Sequence, residues 1–407
     1  MYRSTTIGLR FSVLLNPFKN YKMIFSKIIP TVLFALFISL SVVAQENTSV
    51  WERVEVATAA ANYRNVIAGD FTGDGVPDLI ANAGRVTKLY VAPDWNEIVL
   101  EADRKIDCIH SEAMDVDGDG DLDWIGAQYK PGWIFWLEQP DEPTTQRWKY
   151  HLIDDQVIGT HGLLVGDVDQ KGKLDLLANS GQPGGEFPYS LVWYEVPKNP
   201  RKAKQWIRHV FAKGDAPGLS HYLGVGDING DGRPDAASGA KGWKDDSFGI
   251  GEWFAWWEAP KDPTGVWKKH MVSDKQPGAT NIHPVDVNGD GQVDLLASRG
   301  HGQGIIWFEA PSWKEHVINP DLVGPHCLVV ADMDNDGDID AVTCAKDTKV
   351  AAWFENDGHG NFKTHVINTN QAAYDIRVLD MDNDDDLDVI IAGQASQNLV
   401  WYRNPAK

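Results

Sequence analysis

The stretch DVDGDGDLD, Asp115 to Asp123, puts oxygen-bearing side chains at its first, third, fifth and ninth positions and glycine at the turn between them. That spacing suits a hard cation such as calcium, which takes about 6–8 oxygen ligands on a flexible loop. The pattern recurs from Asp70, Asp167, Asp227, Asp286, Asp332 and Asp380, so seven acidic loops, 45 to 60 residues apart, organise the chain. Repetition at such a period decides the fold before any single residue does.

Each repeat follows one recipe. A short apolar run enters the acidic loop, as in HGLLVGD ending at Asp167, and a second leaves it, as in LDLLANS over Leu174–Ser180. A third carries tryptophan, an aromatic or leucine, and glutamate: Trp136-Leu137-Glu138, Trp193-Tyr194-Glu195, Trp307-Phe308-Glu309. The fourth reads W-x-x-H-hydrophobic, as in WKYHLI from Trp148 and WKEHVI from Trp313. Short β-branched and aromatic runs punctuated by Gly, Pro and Asp are strands, and helical periodicity is absent. Four strands per repeat make the blade of a propeller.

The count closes the ring. Fourth-strand motifs begin at Trp51, Trp95, Trp148, Trp206, Trp267, Trp313 and Phe362, yet the last repeat ends at Trp401-Tyr402 with three strands. Trp51–Val56 precedes the first acidic loop as an orphan, so it is expected to complete the last blade and leave no exposed edge. The expected fold is an all-β, seven-bladed β-propeller forming one domain over residues 45–407, its repeats beginning at Trp51.

The N-terminus is expected to stand outside that domain. An apolar run, Ile28 to Val43, follows Lys22 and Lys27 and leads to the small-residue pattern Val42-Val43-Ala44. This reads as a signal peptide over residues 1–44, with Met23 an alternative start, and implies export to the periplasm or the medium. The run is short for a membrane span, and nothing similar follows. Three cysteines, Cys108, Cys327 and Cys344, are too few for a disulfide framework; the last two fall on neighbouring strands and can pair or remain buried thiols. Net charge is −21, and the acidic loops hold much of it. Without a basic stripe to neutralise phosphates, nucleic acid is not the expected partner. Oligomeric state is left open.

The loops differ in ligand quality. Oxygen ligands fill all four positions in repeats two (Asp115, Asp117, Asp119, Asp123), four (Asp227, Asn229, Asp231, Asp235), five (Asp286, Asn288, Asp290, Asp294), six (Asp332, Asp334, Asp336, Asp340) and seven (Asp380, Asp382, Asp384, Asp388). Repeat one offers Asp70, Asp74 and Asp78 around the weaker donor Thr72, and repeat three has Lys171 where an ammonium can replace the ion. About five or six structural calcium sites are expected.

The histidines sort by their place in the repeat. His151, His209, His270, His316 and His365 lie in the outer strands, where packing or a surface hydrogen bond accounts for them. His161, His221 and His326 each stand six residues before an acidic loop, with His110 and His283 in the same connection and Tyr374 and Arg64 in equivalent slots. Connections in a propeller alternate between faces, so these groups should meet at one mouth of the channel, opposite the acidic loops. Lys130, Lys241, Arg299 and His301, from the connections between second and third strands, belong to that mouth too. The bland alternative is that each histidine only hydrogen-bonds the neighbouring blade. Five imidazoles at one mouth can also hold a transition metal such as zinc.

The acidic loops, of the form D-x-[DN]-x-D-G-x-x-D, resemble those of the FG-GAP/VCBS repeat family, whose members form seven-bladed propellers. The phrases W-[FY]-E-x-P, W-x-x-H-x-I and G-x-H-x-L-x-x-x-D-x-[DN] are similar to those of exported propellers from carbohydrate-degrading bacteria. They also resemble the propeller part of aldos-2-ulose dehydratases and an ulvan-oligosaccharide dehydratase. This resemblance implies elimination on a sugar, with a metal as a candidate cofactor.

From the residues themselves, His, Tyr, Arg and Lys without a nucleophile elbow or an isolated carboxylate pair fit β-elimination from a uronic acid. A cation neutralises the carboxylate, one tautomeric group takes the C5 proton and another protonates what leaves C4. The expected protein is therefore a carbon–oxygen lyase, dehydratase or polysaccharide lyase, acting on anionic, uronate-containing oligosaccharides such as ulvan fragments. His161 and His221 are expected as base and acid, with His326 and Tyr374 in reserve. Arg299, His301, Lys241 and Lys130, with His110 and His283, are expected to hold substrate. The rival reading is a non-catalytic, calcium-stabilised propeller, like integrin-type FG-GAP repeats, that binds glycan or protein.

Overall fold

The structure is a computed structural model and describes residues 50–59, 61–243 and 251–405. The expected signal peptide falls outside these residues. Among the described residues, 28 strands form seven four-stranded antiparallel sheets, and the sole helical element is a 3-10 turn, Pro200–Lys202. No helix among them is long and apolar enough to cross a membrane.

Each sheet is one repeat in chain order. Blade four, for example, runs Ser220–Gly226, Asp235–Ala240, Trp253–Glu258 and Lys268–Ser273. The acidic loop joins the first strand to the second in every blade. First strands touch the adjacent blades around the whole circle, including Tyr63–Gly69 against Asp375–Leu379, so they line the centre. The seventh sheet takes its outer strand from the other end of the chain. Glu52–Thr58 pairs antiparallel with Asn398–Arg403, with Glu52 opposite Arg403 and Val54 opposite Trp401. This closure answers the orphan strand seen in the sequence.

Seven apolar clusters fill the seven gaps between blades. In blade three, Leu177, Leu191 and Trp193 pack toward blade four, whereas Leu176, Ala178, Val192 and Tyr194 pack toward blade two. A strand sends successive side chains to opposite faces, and here both faces are covered. Unbroken apolar runs such as LVWY follow from that. Trp124, Trp136, Trp193 and Trp257 are fully buried, and truncating such a ring to alanine costs about 3–5 kcal/mol.

The outer-strand motif has a single explanation. The W-x-x-H histidine stacks on the tryptophan of the third strand and, in four blades of five, hydrogen-bonds the glutamate two residues beyond it; His209 stacks on Trp193, but its Nε2 has no partner and Lys171 holds Glu195. Trp307 and His316 lie 4.3 Å apart, with His316 Nε2 at 2.7 Å from Glu309. Trp256, His270 and Glu258 repeat the arrangement, as do Trp353, His365 and Glu355. Of the alternatives for cysteine, the thiols are buried and unpaired: Cys327 and Cys344 face each other in register, but Cys327 Sγ donates to Asp375 Oδ1 at 3.3 Å.

Candidate functional site

Two close backbone approaches bring histidines of different blades together. A Cβ at Gly162 would lie 2.6 Å from the His221 carbonyl, and one at Gly300 would lie 2.7 Å from His326 Cα. Only glycine tolerates such contact. Asn179 Oδ1 accepts hydrogen bonds from the backbone N–H groups of His161 and Gly162, while its amide donates to the Ser220 carbonyl, strapping blade three to blade four. Asn281 holds the carbonyl of His326 in the same way, at 2.7 Å.

The result is a compact aromatic cluster. His161 stacks on His221 with centroids 4.2 Å apart, and His326 stacks on Tyr374 at 3.4 Å. His161 lies 5.3 Å from His326 and 5.9 Å from Tyr374, while His301 is 4.8 Å from His221 and 5.0 Å from His326. One ring nitrogen from each of His161, His221 and His326 can be chosen so that all three lie within 4.8 Å of one another. These three side chains are 3%, 2% and 1% exposed, respectively.

Hydrogen bonding fixes where the lone pairs point. His221 Nδ1 lies 2.9 Å from the Leu219 carbonyl, and His326 Nδ1 lies 3.0 Å from the Tyr374 carbonyl. A carbonyl only accepts, so Nδ1 carries the proton and Nε2 keeps its lone pair. His221 Nε2 meets His301 Nε2 at 2.9 Å; His326 Nε2 has no partner, and neither do both nitrogens of His161. Burial pushes the His161 imidazole down to about 3 and holds His221 and His326 well below their usual range, with mutual repulsion adding to it. Lys241 contributes to all three shifts and Arg64 to that of His161, so both cations stand near the cluster. Neutral imidazoles with inward lone pairs and orphaned buried nitrogens have the donor chemistry that a borderline transition metal takes.

The other expected mouth residues divide. Tyr374, His301 and Lys241 belong to the cluster. His110 sits behind it: Nδ1 accepts from the Leu163 N–H at 3.2 Å, and Nε2 faces Arg377 at 3.2 Å. His283 Nε2 bonds the Leu328 carbonyl of the next blade at 2.8 Å, the bland role considered for the whole set. Arg299 is turned away, donating to Gln276 at 2.8 Å and pairing with Glu315 at 2.7 Å. Lys130 is exposed on the rim.

Several cluster members carried no signal in the motifs. Tyr222 lies 5.1 Å from His110 and 5.3 Å from His161, at the centre of the group. Strand alternation would turn it away from His221, but a register shift between Ser220 and Leu223 breaks the period there. Tyr129, unlike Tyr222, is expected at the mouth from the same connection as Lys130, and it meets His161 edge-on at 6.1 Å and accepts a hydrogen bond from Gln182. Behind them Arg377 lies among Asp375, Glu112 and the Ser111 carbonyl. Burial pushes the Glu112 carboxyl up to about 7.

On the opposite face the acidic loops share one geometry. The first aspartate gathers loop N–H groups; Asp115 accepts from Gly118, Asp119 and Gly120. The ninth pins the loop to the blade: Asp123 accepts from Val116 and from Gln139 at the end of the third strand, and Asp340 does the same with Met333 and Asn356. At the second ligand position, buried oxygens of Thr72, Asp334 and Asp382 have no partner. Acidic groups drawn from loops two, three, six and seven are close enough to share an ion. Lys171 of loop three does pair with Asp169, at 2.6 Å. The sequence reading missed three further competitors: Arg201 reaches Asp117 at 2.8 Å and Asp119 at 2.5 Å, Arg403 reaches Asp382 at 2.5 Å, and Arg233 pairs with Asp231.

Comparison with known proteins agrees with this architecture. No curated protein matches the sequence. Two crystal structures of BBS1N in complex with ARL6DN, soaked with mercury or with lead, are similar in fold. The first has 11% identity and a TM-score of 0.55, covering 88% of this chain and 97% of that one. The second has 10% identity and a TM-score of 0.58, covering 88% and 98%. The family described as FG-GAP-like repeat matches residues 227–297, 286–343 and 332–391, from the acidic loop of blade four into blade seven. The chain is a seven-bladed β-propeller carrying FG-GAP-like repeats.

Proposed function

We propose that this is an exported carbohydrate eliminase, a dehydratase or polysaccharide lyase, acting on uronate-containing oligosaccharides such as ulvan fragments. The observation that carries the reading is the convergence of His161, His221 and His326, buried and neutral, with partnerless nitrogens on His161 and His326 and with His301 against His221 Nε2, beside Tyr374 and Lys241. A plain scaffold has no use for such a group, because burying unpaired polar atoms costs about 1–3 kcal/mol each.

In this reading the three imidazoles hold a zinc-like ion rather than serving as base and acid. Bound there, the ion supplies a positive charge for a sugar carboxylate and so acidifies the neighbouring C5 proton. Lys241 adds to that charge. His301, exposed on the rim, takes the C5 proton; the C5–H electrons form the C4=C5 bond as the C4–O bond breaks. Tyr374, whose phenol burial pushes up to about 12, keeps its proton at neutral pH and gives it to the departing oxygen. Arg299 is left out, since Glu315 already engages it. The acidic loops hold structural calcium; the orphaned oxygens of Thr72, Asp334 and Asp382 support this.

The test is ultraviolet absorbance of the conjugated unsaturated uronate formed from ulvan and other uronate oligosaccharides, with metal content measured on the same preparation. Product formation lost in His301→Ala and Tyr374→Phe, with the fold intact by circular dichroism, supports the proposal. Absence of product across the panel from metal-loaded protein sinks it and assigns the mouth to binding alone.

A further inference from the structure

We propose that the groove between blades four and five, on the acidic-loop face, binds an uncharged sugar. A cavity of about 380 Å³ opens there, lined by Trp256, Trp313, Asp227, Asn229, Gln292 and Pro311, among others. Every strand reverses the chain, so this face lies opposite the histidine mouth. The site therefore does not depend on the elimination chemistry.

The groove opens where the connection between the third and fourth strands of blade five is short. Blade three joins its third and fourth strands through Val196–Trp206, and Arg201 from that connection reaches Asp117 and Asp119 beside the equivalent groove. In blade four the corresponding segment includes Pro263, whose carbonyl accepts a hydrogen bond at 3.1 Å from Trp193 Nε1 of blade three. Blade five spans the same gap with Ala310–Trp313 alone. Trp256 occupies in blade four the place of Trp193 in blade three. Its indole N–H has no partner, although the residue is only 5% exposed.

An unpaired buried donor beside a cavity asks for an acceptor from a ligand. Half-buried Trp313 offers an aromatic surface, and exposed Gln292, whose amide N–H bonds Asp290, offers its carbonyl oxygen, while Asp227 and Asn229 Oδ1 are held by their own loop N–H groups. Aromatic surface with a few converging polar groups fits the apolar face and hydroxyl rim of a pyranose. Asp227 in the lining, and Asp290 beside Gln292, disfavour an anionic one.

Titration calorimetry of the mature protein with xylotetraose, cellotetraose and mannotetraose tests this. Saturable binding of at least one is expected, with a shift in tryptophan fluorescence. Trp313→Ala should weaken it about tenfold or more. Gln292→Arg, at an exposed position that leaves the core untouched, should do the same by placing a guanidinium in the groove as Arg201 does in its counterpart. No saturable binding by the wild type, or binding unchanged in both groove variants, overturns the proposal.

Discussion

His161 and His221 stack ring on ring, with planes 28° from parallel, although they stand on different blades. Two charged imidazoles would repel at that distance, so at least one must be neutral, and burial keeps both so. His326 completes a set of three nitrogen donors. The wild-type protein is therefore expected to bind one zinc equivalent at this cluster. His161→Ala or His326→Ala should weaken it by more than the roughly 10–100-fold that loss of an outer-shell partner costs. Equilibrium dialysis against a chelator checks this, and unchanged zinc content in both variants would remove the metal from the mechanism.

His283 carries a pH prediction that is independent of any metal. Burial and the nearby Arg377 charge push its imidazole down to about 4, against an ordinary value of 6.5. The unfolded chain thus binds the proton more readily than the fold does. Stability is full above 6.5 and falls as pH drops toward 4, by up to about 3 kcal/mol for this group. His283→Gln should flatten that limb in chelated protein, followed by thermal melting between pH 7 and 4. An unaltered slope would place the acid lability elsewhere.

The acidic loops predict the opposite limb. Burial pushes the Asp123 carboxyl up to about 8 and those of Asp175 and Asp340 to about 7. A raised folded value favours the fold at low pH and loses that contribution as pH rises through it. Between pH 4 and 6.5 this loss opposes the gain from His283, and above 6.5 it acts alone, so chelated protein should lose stability from pH 6.5 to 8. Added calcium should erase the alkaline limb, because a divalent ion inverts the local preference for the protonated carboxyl. Lys171→Asp should add one calcium equivalent at loop three, read by isothermal titration.

How far the chain could be read in advance varies by level. Strand count, blade number and the closing strand were legible because propeller blades bury both faces and announce each turn with Asp and Gly. The mouth was legible in part, since chain reversal dictates which connections share a face. Direction within the mouth was not. Tyr222 joins the cluster through a bulge that breaks alternation, and Arg299 leaves it because Glu315, remote in sequence, captures the guanidinium. Arg201 likewise reaches Asp119 across 82 residues, a pairing set by blade geometry that no spacing rule encodes.

Ring closure can be tested by removal. Without Glu52–Thr58, the strand Asn398–Arg403 becomes an unpaired edge, and the cluster holding Trp401, Leu399 and Tyr90 loses Val54, Val56 and Ala57. Protein starting at Ala59 is expected to melt at lower temperature and to self-associate through that edge. Size-exclusion chromatography and calorimetry report both. A monomer with unchanged melting would show that the ring does not need its clasp.

The Trp–His–Glu triads should contribute according to burial. His151 stacks on Trp136 at 4.4 Å, and is 8% exposed beside a Glu138 that is 17% exposed. His316 and Glu309 are 30% and 35% exposed in the same arrangement. Water competes for the outer pair and screens it, whereas the inner pair is shielded from water, with Arg201 and Lys149 holding Glu138 charged beside the imidazole. His151→Ala should therefore cost about 1–2 kcal/mol, and His316→Ala less than about 1 kcal/mol. Urea unfolding of the two variants decides it: equal losses would mean that the ring stack, common to both, carries the motif, and the hydrogen bond does not.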